Sequence, residues 1–238
     1  MSKPCRRKAR GDPDRTLIEG RRRAMRIIAG QRRGHKIDGP RPKADMRPTS
    51  DLVRESLFNI VGELMPGRIA VDLFAGTGAV GLEALSRGAE RAIFIEKNRE
   101  NVGLIHRNIA ILRYQDRTQV RLTDAYRWAR TFEPVEQAPM AVFLDPPYRE
   151  YEIHRRQMSQ LLGSLVAKLP ADSVIALEAR RDLDGEILPD FESWDIRRYG
   201  DTQIAIRVLP GAAPGPGSEA RLAVGQEPAA DREEEADV

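Results

Sequence analysis

The sequence predicts an α/β fold in which helices cover a mostly parallel sheet that has an antiparallel edge. Short apolar runs alternate with longer amphipathic segments along residues 48–210, which is the pattern of strand–helix units. A glycine-rich loop joins one of these strands to the next helix, and Gly200-Asp201 near the end of the chain joins two strands as a hairpin. The length of 238 residues allows one substantial core, so we expect one domain.

The elements can be placed in order along the chain. Arg26 to Ile37 predicts a small basic hairpin ahead of the sheet. Thr49 or Ser50 is expected to cap the first long helix, whose apolar face has helical spacing. That face contains Leu57, Ile60, Val61 and Leu64. The predicted strands of the sheet are Ile69 to Phe74, Ala92 to Glu96, Gln119 to Thr123, Met140 to Leu144, Ser173 to Glu178, Trp194 to Tyr199 and Gln203 to Leu209. The helices between them include one that ends at Gly88, one at Asn98 to Leu112 and one at Glu152 to Leu169, ended by Pro170.

The two ends of the chain carry opposite charge. Residues 1–24 contain nine Lys or Arg against three acidic residues, whereas residues 211–238 contain two against seven. Both ends are poor in large apolar side chains and cannot offset the entropy of ordering. We therefore expect disordered tails around a domain at 25–210. The basic tail is a solvated extension, an arm that grips phosphates, or sequence upstream of a true start at Met25.

Cysteine and histidine usage excludes several classes of site. The chain has one cysteine, Cys5, so it cannot build a disulfide framework or a cysteine-based zinc site. His35, His106 and His154 lack metal-ligand spacing, and we expect no metal. No apolar run approaches the roughly 18 residues that cross a bilayer, and no signal-peptide stretch follows the basic N-terminus. We expect a cytoplasmic protein, and nothing in the sequence requires more than a monomer.

The glycine-rich loop predicts a nucleotide-like ligand. Residues 72–81 contain the pattern G-x-G-x-x-G between a strand and a helix, where the backbone can approach a ligand closely. Glu96 lies 20 residues after Gly76, at the end of the next predicted strand, where its carboxylate can accept hydrogen bonds from ribose hydroxyls. This spacing serves dinucleotides and methyl donors equally, so it does not choose between them. A tight turn beside an exposed acid is the structural alternative.

Asp124 follows the third strand of the predicted sheet, at the edge where ligands of open α/β sheets bind. Its carboxylate could accept a hydrogen bond from an adenine amino group. On residue type alone, Asp124 could equally be the N-cap of a helix that begins at Ala125. The two roles are compatible.

The tetrapeptide Asp145-Pro146-Pro147-Tyr148, directly after an apolar strand, indicates the reaction class. Two prolines make a rigid turn that can present oxygen acceptors. An exocyclic amine of a base is a weak nucleophile, because its lone pair is delocalised into the ring. Accepting its N–H hydrogens at the Asp145 carboxylate and the Pro146 carbonyl favours attack as positive charge develops. Tyr148 can stack on an extruded base. The alternative is an ordinary turn with a buried aromatic ring.

Four segments together resemble the bacterial 16S ribosomal RNA guanine(966)-N2 methyltransferase family. The upstream pair is the more family-specific: Met25-Arg-Ile-Ile-Ala-Gly-Gln-Arg-Arg-Gly-His-Lys-Ile37 and Arg47-Pro-Thr-Ser-Asp-Leu-Val-Arg-Glu-Ser-Leu-Phe-Asn-Ile60. The other pair, Asp72 to Gly78 and Phe143 to Tyr148, marks only the class I methyltransferase superfamily. The resemblance covers about residues 25–209.

The resemblance implies a Rossmann-like class I sheet and S-adenosyl-L-methionine as methyl donor. It implies that the substrate is 16S ribosomal RNA in a partly assembled small subunit, and that the product carries one methyl group on guanine N2. Arg47 to Ser50 would close over the methionine end of the donor. The cofactor-binding positions carried over are Thr49, Asp72, Phe74, Ala75, Gly76, Thr77, Gly78, Glu96, Lys97, Asp124 and Ala125. The catalytic positions are Asp145, Pro146, Pro147 and Tyr148.

A basic stretch fits an RNA substrate. Residues 26–47 hold seven Lys or Arg against two Asp, and such side chains can follow a phosphate backbone with little sequence preference. A solvated basic face is the alternative. The candidate RNA-binding residues are Arg32, Arg33, Lys36, Arg41, Lys43 and Arg47, with Arg155 and Arg156 as weaker candidates.

Three other functions remain open at this stage. A nicotinamide-dependent dehydrogenase would use the glycine-rich loop and Glu96, but it has no role for Asp145 to Tyr148. A non-catalytic RNA-binding module would use only the basic stretch. A methyltransferase for adenine N6 would use the whole site, although enzymes for adenine N6 or protein glutamine more often have Asn at the first tetrapeptide position. Asp145 therefore favours guanine.

Overall fold

The computed structural model describes residues 24–40, 51–134 and 138–211, without the side chain of Asp51. Predictions for residues 1–23 and 212–238 lie outside the described residues. The same is true of Thr49, Arg41, Lys43 and Arg47. The first described strand begins at Ala24, next to the predicted start of the domain at Met25.

A seven-stranded sheet forms the centre of the fold. Its strands are β3 (Ile69–Leu73), β4 (Arg91–Glu96), β5 (Thr118–Leu122), β6 (Met140–Leu144), β7 (Val174–Arg180), β8 (Asp195–Tyr199) and β9 (Thr202–Val208). Their order across the sheet is β5-β4-β3-β6-β7-β9-β8. Strands β3 to β7 are parallel, and β9 pairs antiparallel with both β7 and β8. The predicted fold class is therefore confirmed, including the antiparallel hairpin at the C-terminal end.

Helices cover both faces of the sheet. Helices α1 (Asp51–Val61), α2 (Ala79–Ser86) and α3 (Arg99–Leu112) pack on one face, where Phe58, Leu82 and Phe143 belong to one core. Helices α4 (Ala125–Thr131), α5 (Arg149–Ile153) and α6 (Arg155–Lys168) cover the other face, where Leu73 and Leu162 belong to a second core. Successive residues of β3 alternate between the two cores, as the period of two in a strand requires.

Two predicted helices differ from the structure. The first long helix ends at Val61, and Leu64 lies in a following 3-10 turn. The single helix predicted from Glu152 to Leu169 is wrong, because the chain forms α5 and α6 with a break at His154. Helix α5 begins directly after the proline pair, and its Glu150 side chain is bonded to neighbouring elements across the sheet edge.

The predicted N-terminal hairpin is present and packs on α2. Strands β1 (Ala24–Arg26) and β2 (Lys36–Asp38) pair antiparallel and are shorter than predicted. The buried Glu83 of α2 accepts hydrogen bonds from the amides of Ile28 and Ala29, at 2.7 and 2.9 Å, which removes these amides from the strand ladder. Gly30 packs so closely on α2 that a Cβ atom there would lie 1.9 Å from the Ser86 carbonyl oxygen. The hairpin is therefore a docked part of the domain.

Candidate active site

The sheet order brings two loops together at one edge. Strand β3 lies between β4 and β6, and Leu73 is in register with both Ile95 and Leu144. The glycine-rich loop leaves β3 at this edge, and the segment from Asp145 to Tyr148 leaves β6 beside it. Ligands of open α/β sheets bind outside the carboxyl ends of the strands, where the strand order reverses. The predicted site residues after these strands therefore surround one position.

The glycine-rich loop has a strained, closely packed backbone. Phe74 has a φ of 63°, Gly76 of 55° and Gly78 of 77°, all in the left-handed region. The Gly78 amide closes the turn on the Ala75 carbonyl at 2.7 Å, and the Ala75 amide donates to Ile95 of β4 at 3.1 Å. Strained non-glycine residues such as Phe74 cluster at ligand sites. The strain at Phe74 makes this loop a candidate ligand-binding position.

Asp72 holds the start of the helix that follows this loop. Its Oδ2 accepts a hydrogen bond from the Gly81 amide at 2.9 Å, within the first turn of α2. A Cβ on Gly81 would lie 2.5 Å from the Phe94 ring, so the third glycine allows α2 to pack against β4. Burial raises the pKa of Asp72 well above its ordinary value, and the charges of Asp145 and Glu96 raise it further. The Gly81 amide is thus already occupied by a carboxyl group.

Glu96 ties the loop to the next strand. It is buried, and its Oε2 accepts from the Gly76 amide at 2.8 Å while its Oε1 accepts from the Asn98 amide at 2.7 Å. Each carboxylate oxygen can accept a second hydrogen bond. Glu96 can therefore position the loop and still accept donors from a ribose. Lys97, the next residue, is exposed and lies 3.3 Å from Glu150 through its Nζ.

Asp124 is the N-cap of α4, as one of the two sequence interpretations predicted. Its Oδ1 accepts from the amides of Tyr126 and Arg127, at 3.0 and 3.1 Å. The cap uses Oδ1, so Oδ2 is the oxygen that could accept from an adenine amino group. Ala125, the first residue of α4, is buried directly behind it. The structure thus allows both roles of Asp124.

An aromatic and polar cluster that the sequence did not predict joins the loops. The Tyr126 ring meets Phe74 edge-on at 5.7 Å, and its hydroxyl donates to Glu150 at 3.0 Å. Glu150 is buried and lies 3.8 Å from the Nε2 of His154. Burial, and then the charge of Glu150, raises the pKa of Tyr126. Phe74 was a predicted site residue, Tyr126 follows the predicted Ala125, and Glu150 and His154 lie two and six positions after Tyr148, but only the sheet order brings them together.

The segment from Asp145 to Tyr148 is rigid and partly exposed. Pro146 is buried, Pro147 is exposed, and Asp145 and Tyr148 are partly buried. The Pro147 carbonyl accepts from Glu150 at 2.8 Å, whereas no amide among the described residues donates to the Pro146 carbonyl. The Tyr148 hydroxyl lies 3.1 Å from Thr202 Oγ1 of β9, which orients the ring. A carboxylate, a carbonyl and an aromatic ring therefore stand side by side.

Glu178 is a second carboxyl group at this position that the sequence prediction missed. It lies in β7, has 8% of its surface exposed and forms a side-chain hydrogen bond with Asp145. Burial, followed by the charge of Asp145 and this hydrogen bond, raises the pKa of Glu178 to about 9. The available signal was an acid at the end of an otherwise apolar strand, Val-Ile-Ala-Leu-Glu.

The acidic character of the edge fits a cationic ligand better than a pyrophosphate. The charges of Asp145 and Glu96 raise the pKa of Asp72, so the carboxyl groups repel one another. Dinucleotide sites place a pyrophosphate on helix amides, but the Gly81 amide of α2 already bonds to Asp72. A sulfonium cation that carries a ribose and an adenine would find acceptors at Glu96 and Asp124 instead. The residues present therefore fit S-adenosyl-L-methionine.

The basic hairpin presents part of the predicted RNA-binding set. Arg33 and Lys36 are exposed, whereas Arg32 is partly buried with its guanidinium 5.6 Å from the centre of the Tyr114 ring. The buried Asn108 of α3 ties this hairpin to the site. Its Nδ2 donates to the carbonyls of Asp38 and Thr77, and its Oδ1 accepts from the Asp38 amide. The hairpin and the glycine-rich loop thus share one buried side chain.

The weaker basic candidates lie apart from these groups. Arg155 forms ion pairs with Asp184 and Glu186, which neutralise much of its charge. It lines a surface cleft of about 430 Å³ with Arg156 and Ile187, and none of the cleft residues belongs to the glycine-rich or proline loops. In the described part of the chain, no cluster of His, Cys, Asp and Glu is arranged to hold a metal ion. The described helices include none with the length and apolar character to cross a membrane.

Comparison with known proteins identifies relatives over almost the whole described domain. The family model described as Conserved hypothetical protein 95 matches residues 25–208. YlbH of Bacillus subtilis is 33% identical over 183 residues, which cover 76% of this chain and 97% of that protein. Ribosomal RNA small subunit methyltransferase D of Haemophilus influenzae is 34% identical over 183 residues, covering 76% of this chain and 90% of the relative.

Two Escherichia coli comparisons extend this result. Ribosomal RNA small subunit methyltransferase D of strain K12 is 40% identical over 126 residues, covering 52% of this chain and 61% of the relative. The solved structure of yhhF shares 28% identity with a TM-score of 0.63, and the match covers 79% of this chain and 99% of that chain. Fold and sequence therefore agree on the same group of proteins.

Proposed function

The chain belongs to the Conserved hypothetical protein 95 family, and from this premise we propose that it transfers a methyl group from S-adenosyl-L-methionine to the N2 amine of a guanine in 16S ribosomal RNA. Relatives named as ribosomal RNA small subunit methyltransferases support an RNA substrate. The resemblance found in the sequence supports guanine 966 as the target. The observation that carries the chemistry is Asp145 to Tyr148 beside the glycine-rich loop, at the point where the strand order reverses.

The donor is held by the loops after β3, β4 and β5. When bound, S-adenosyl-L-methionine supplies an electrophilic methyl group on a positively charged sulfur. Gly76, Thr77 and Gly78 give it a backbone surface without bulky side chains. Glu96 accepts hydrogen bonds from the ribose, and Asp124 accepts one from the adenine through Oδ2. Asp72, Phe74, Ala75, Lys97 and Ala125 shape and support this surface, and Thr49 belongs to the proposed set from the resemblance alone.

The proline segment prepares the target amine. The Asp145 carboxylate and the Pro146 carbonyl accept its two N–H hydrogens, which concentrates the nitrogen lone pair for attack. With the donor bound, the N–C bond would form as the C–S bond breaks, S-adenosylhomocysteine would leave, and the surplus proton of the amine would pass to the Asp145 carboxylate or to solvent. Tyr148, held by Thr202, stacks on the extruded guanine. Pro147 keeps the turn rigid while the base enters.

The basic hairpin delivers the RNA to this edge. Arg33 and Lys36 are exposed and contact phosphates, and Arg32 is held against Tyr114 at the same surface. Replacing Arg33 and Lys36 with Ala should raise the KM for RNA about tenfold at low salt with little change in kcat, because phosphate contacts position the substrate. Exposed Arg121 and Arg130, replaced together, serve as the control. An unchanged KM would remove the hairpin from the RNA-binding surface.

The proposal can be tested on the purified full chain. Calorimetry should show binding of S-adenosylhomocysteine and no tight binding of NADH. Asp145→Ala should keep donor affinity and lower methyl transfer to 16S RNA by about 100-fold or more, as expected for the loss of a preorganised acceptor. Asp116→Ala, an exposed aspartate ahead of β5, is the matched control.

The other outcomes separate the alternatives. Tight NADH binding without S-adenosylhomocysteine binding would support a dehydrogenase. Unchanged RNA affinity and unchanged biological effect in Asp145→Ala would support a non-catalytic RNA-binding module. If the methyl group is found on adenine N6, the proposed mechanism is retained but the target base is adenine instead of guanine.

A further inference from the structure

The carboxyl group of Glu178 has no part in the function proposed above, yet it lies beside Asp145. Strands β6 and β7 are parallel neighbours whose register pairs Leu144 with Leu177. Glu178 is the next residue of β7, and Asp145 is the first residue of the chain after β6 ends at Leu144. Side chains at matching positions of neighbouring strands point to the same face of a sheet. The two carboxyl groups are therefore neighbours, close enough for a hydrogen bond between them.

Glu178 is fixed from several sides. Its backbone pairs with Ile204 of β9, and its carbonyl accepts the hydroxyl of Tyr151 from α5 at 2.5 Å. Glu178 has 8% of its surface exposed, whereas Asp145 is partly exposed at the sheet edge. Glu178 is therefore an anchored internal residue, while Asp145 remains accessible to a substrate.

A hydrogen bond between two carboxyl groups requires one proton. Two adjacent carboxylates repel each other, so the pair holds a single negative charge near neutral pH. Burial, then the charge of Asp145, raises the pKa of Glu178 to about 9, which places the proton on Glu178. Tyr151 is a titratable group packed against it, since its hydroxyl donates to the Glu178 backbone carbonyl, and its pKa is raised by burial and then by the charges of Asp145 and Glu178. The negative charge therefore stays on Asp145, where the amine binds.

We propose that Glu178 is a positioning residue for Asp145, donating the hydrogen bond that fixes which Asp145 oxygen faces the target amine. This inference rests on the proposed role of Asp145 in methyl transfer. An unanchored aspartate can rotate about two bonds and would present its acceptor in several orientations. The bond from Glu178 uses one lone pair of Asp145 and leaves the outer oxygen for the amine N–H. Orientation of this kind lowers the barrier by holding the reacting groups in place.

Two substitutions separate this role from simple packing. Glu178→Gln keeps the size of the side chain and an N–H donor toward Asp145. Glu178→Leu keeps an approximately equal volume but has no donor. We expect Gln to retain kcat within about threefold and Leu to lower kcat about 10- to 100-fold, the scale of a mispositioned catalytic group. The KM for RNA and the affinity for S-adenosylhomocysteine should change little in both variants.

The pH profile gives a second readout that does not depend on the Leu variant folding. Deprotonation of Glu178 near pH 9 removes the donor in the wild-type protein, but Gln has no proton to lose. The ratio of wild-type kcat to Glu178→Gln kcat cancels ionisation of the RNA bases, because both enzymes act on the same RNA. This ratio should be constant near neutral pH and fall as the pH rises through about 9.

The outcomes distinguish failure of this inference from failure of the proposed function. A ratio that stays constant across the alkaline range, or a folded Leu variant with full kcat, would overturn the positioning role. If Asp145→Ala in the same assay retains full activity, the proposed function itself fails. If Asp145→Ala loses activity and neither Glu178 variant has an effect, the proposed function is retained and the positioning role of Glu178 is rejected.

Discussion

Single carboxyl groups at the sheet edge combine observed structural roles with proposed binding roles. Asp72 holds the Gly81 amide, Glu96 holds the Gly76 and Asn98 amides, and Asp124 caps α4. Each bond uses only part of the acceptor capacity of a carboxylate. The acids that fold the loops are therefore the same acids proposed to bind the donor, and mutations there will combine loss of binding with loss of stability.

The buried proton on Glu178 has a consequence for stability. The unfolded chain releases this proton above its ordinary pKa of 4.5, whereas the folded protein keeps it up to about pH 9. Stability is therefore lost as pH rises through this window. Glu178→Gln has no proton to release, so its stability does not fall in this window. At neutral pH the variant should therefore have a free energy of unfolding up to about 3 kcal/mol higher than the wild-type protein, because each unit of pKa shift corresponds to about 1.4 kcal/mol.

Urea unfolding at mildly acidic, neutral and mildly alkaline pH checks this expectation. The gain from Glu178→Gln should be small at the acidic end and should increase with pH. A gain that is the same at every pH would show that Glu178 is not protonated in the folded protein.

The elements of the sheet were largely predictable from local patterns, and their contacts were not. Alternating apolar runs predicted the strands, and the helix predicted from Asn98 to Leu112 is present as α3, with Asn98 as the N-cap whose side chain accepts from the amides of Glu100 and Asn101. The break between α5 and α6 at His154 was missed, and so were the contacts of Glu150 in α5 with Lys97 and Tyr126 on other elements. A helical pattern in the sequence contains no information about such distant partners.

Asn108 is one of the buried side chains that dock the hairpin, in addition to Glu83. Asn108 bonds to both the Asp38 backbone and the Thr77 carbonyl, so Asn108→Ala leaves buried backbone groups without partners. We expect a loss of about 2–3 kcal/mol in unfolding free energy, with weaker binding of S-adenosylhomocysteine because the Thr77 backbone loses its support.

Thermal unfolding and calorimetry measure these two effects. Asn101→Ala is the matched control, since Asn101 lies on the same helix with a partly exposed side chain. A stable Asn108→Ala variant with normal affinity for S-adenosylhomocysteine would show that Asn108 supports neither the docking of the hairpin nor the glycine-rich loop.

At the scale of the whole molecule, the order of the strands creates the site. The glycine-rich loop and Asp145 are about 70 residues apart in sequence, but β3 and β6 are neighbours in the sheet. The sequence predicted both loops and the family, and the family is confirmed by the match to residues 25–208. Glu178 was not predicted, because its importance arises from the register of β6 with β7.

The glycine-rich motif is shared with dinucleotide sites, but the acidic groups around it favour a methyl donor. Acidic groups from four strands, Asp72, Glu96, Asp145 and Glu178, lie at or near one edge of the sheet. Their repulsion is visible in the raised pKa values of Asp72 and Glu178, after the larger effect of burial. Because Glu178 holds the proton that it shares with Asp145, the negative charge at this edge comes from Glu96 and Asp145, and these carboxylates favour a sulfonium cation over a pyrophosphate.

The most direct measurement is mass spectrometry of 16S ribosomal RNA from cells that lack this gene and carry either the wild-type gene or Asp145→Ala. We predict one methyl group on guanine N2 with the wild-type gene and its loss with Asp145→Ala. A guanine-N2 methylation pattern that is the same with the gene absent, intact or mutated would contradict the account.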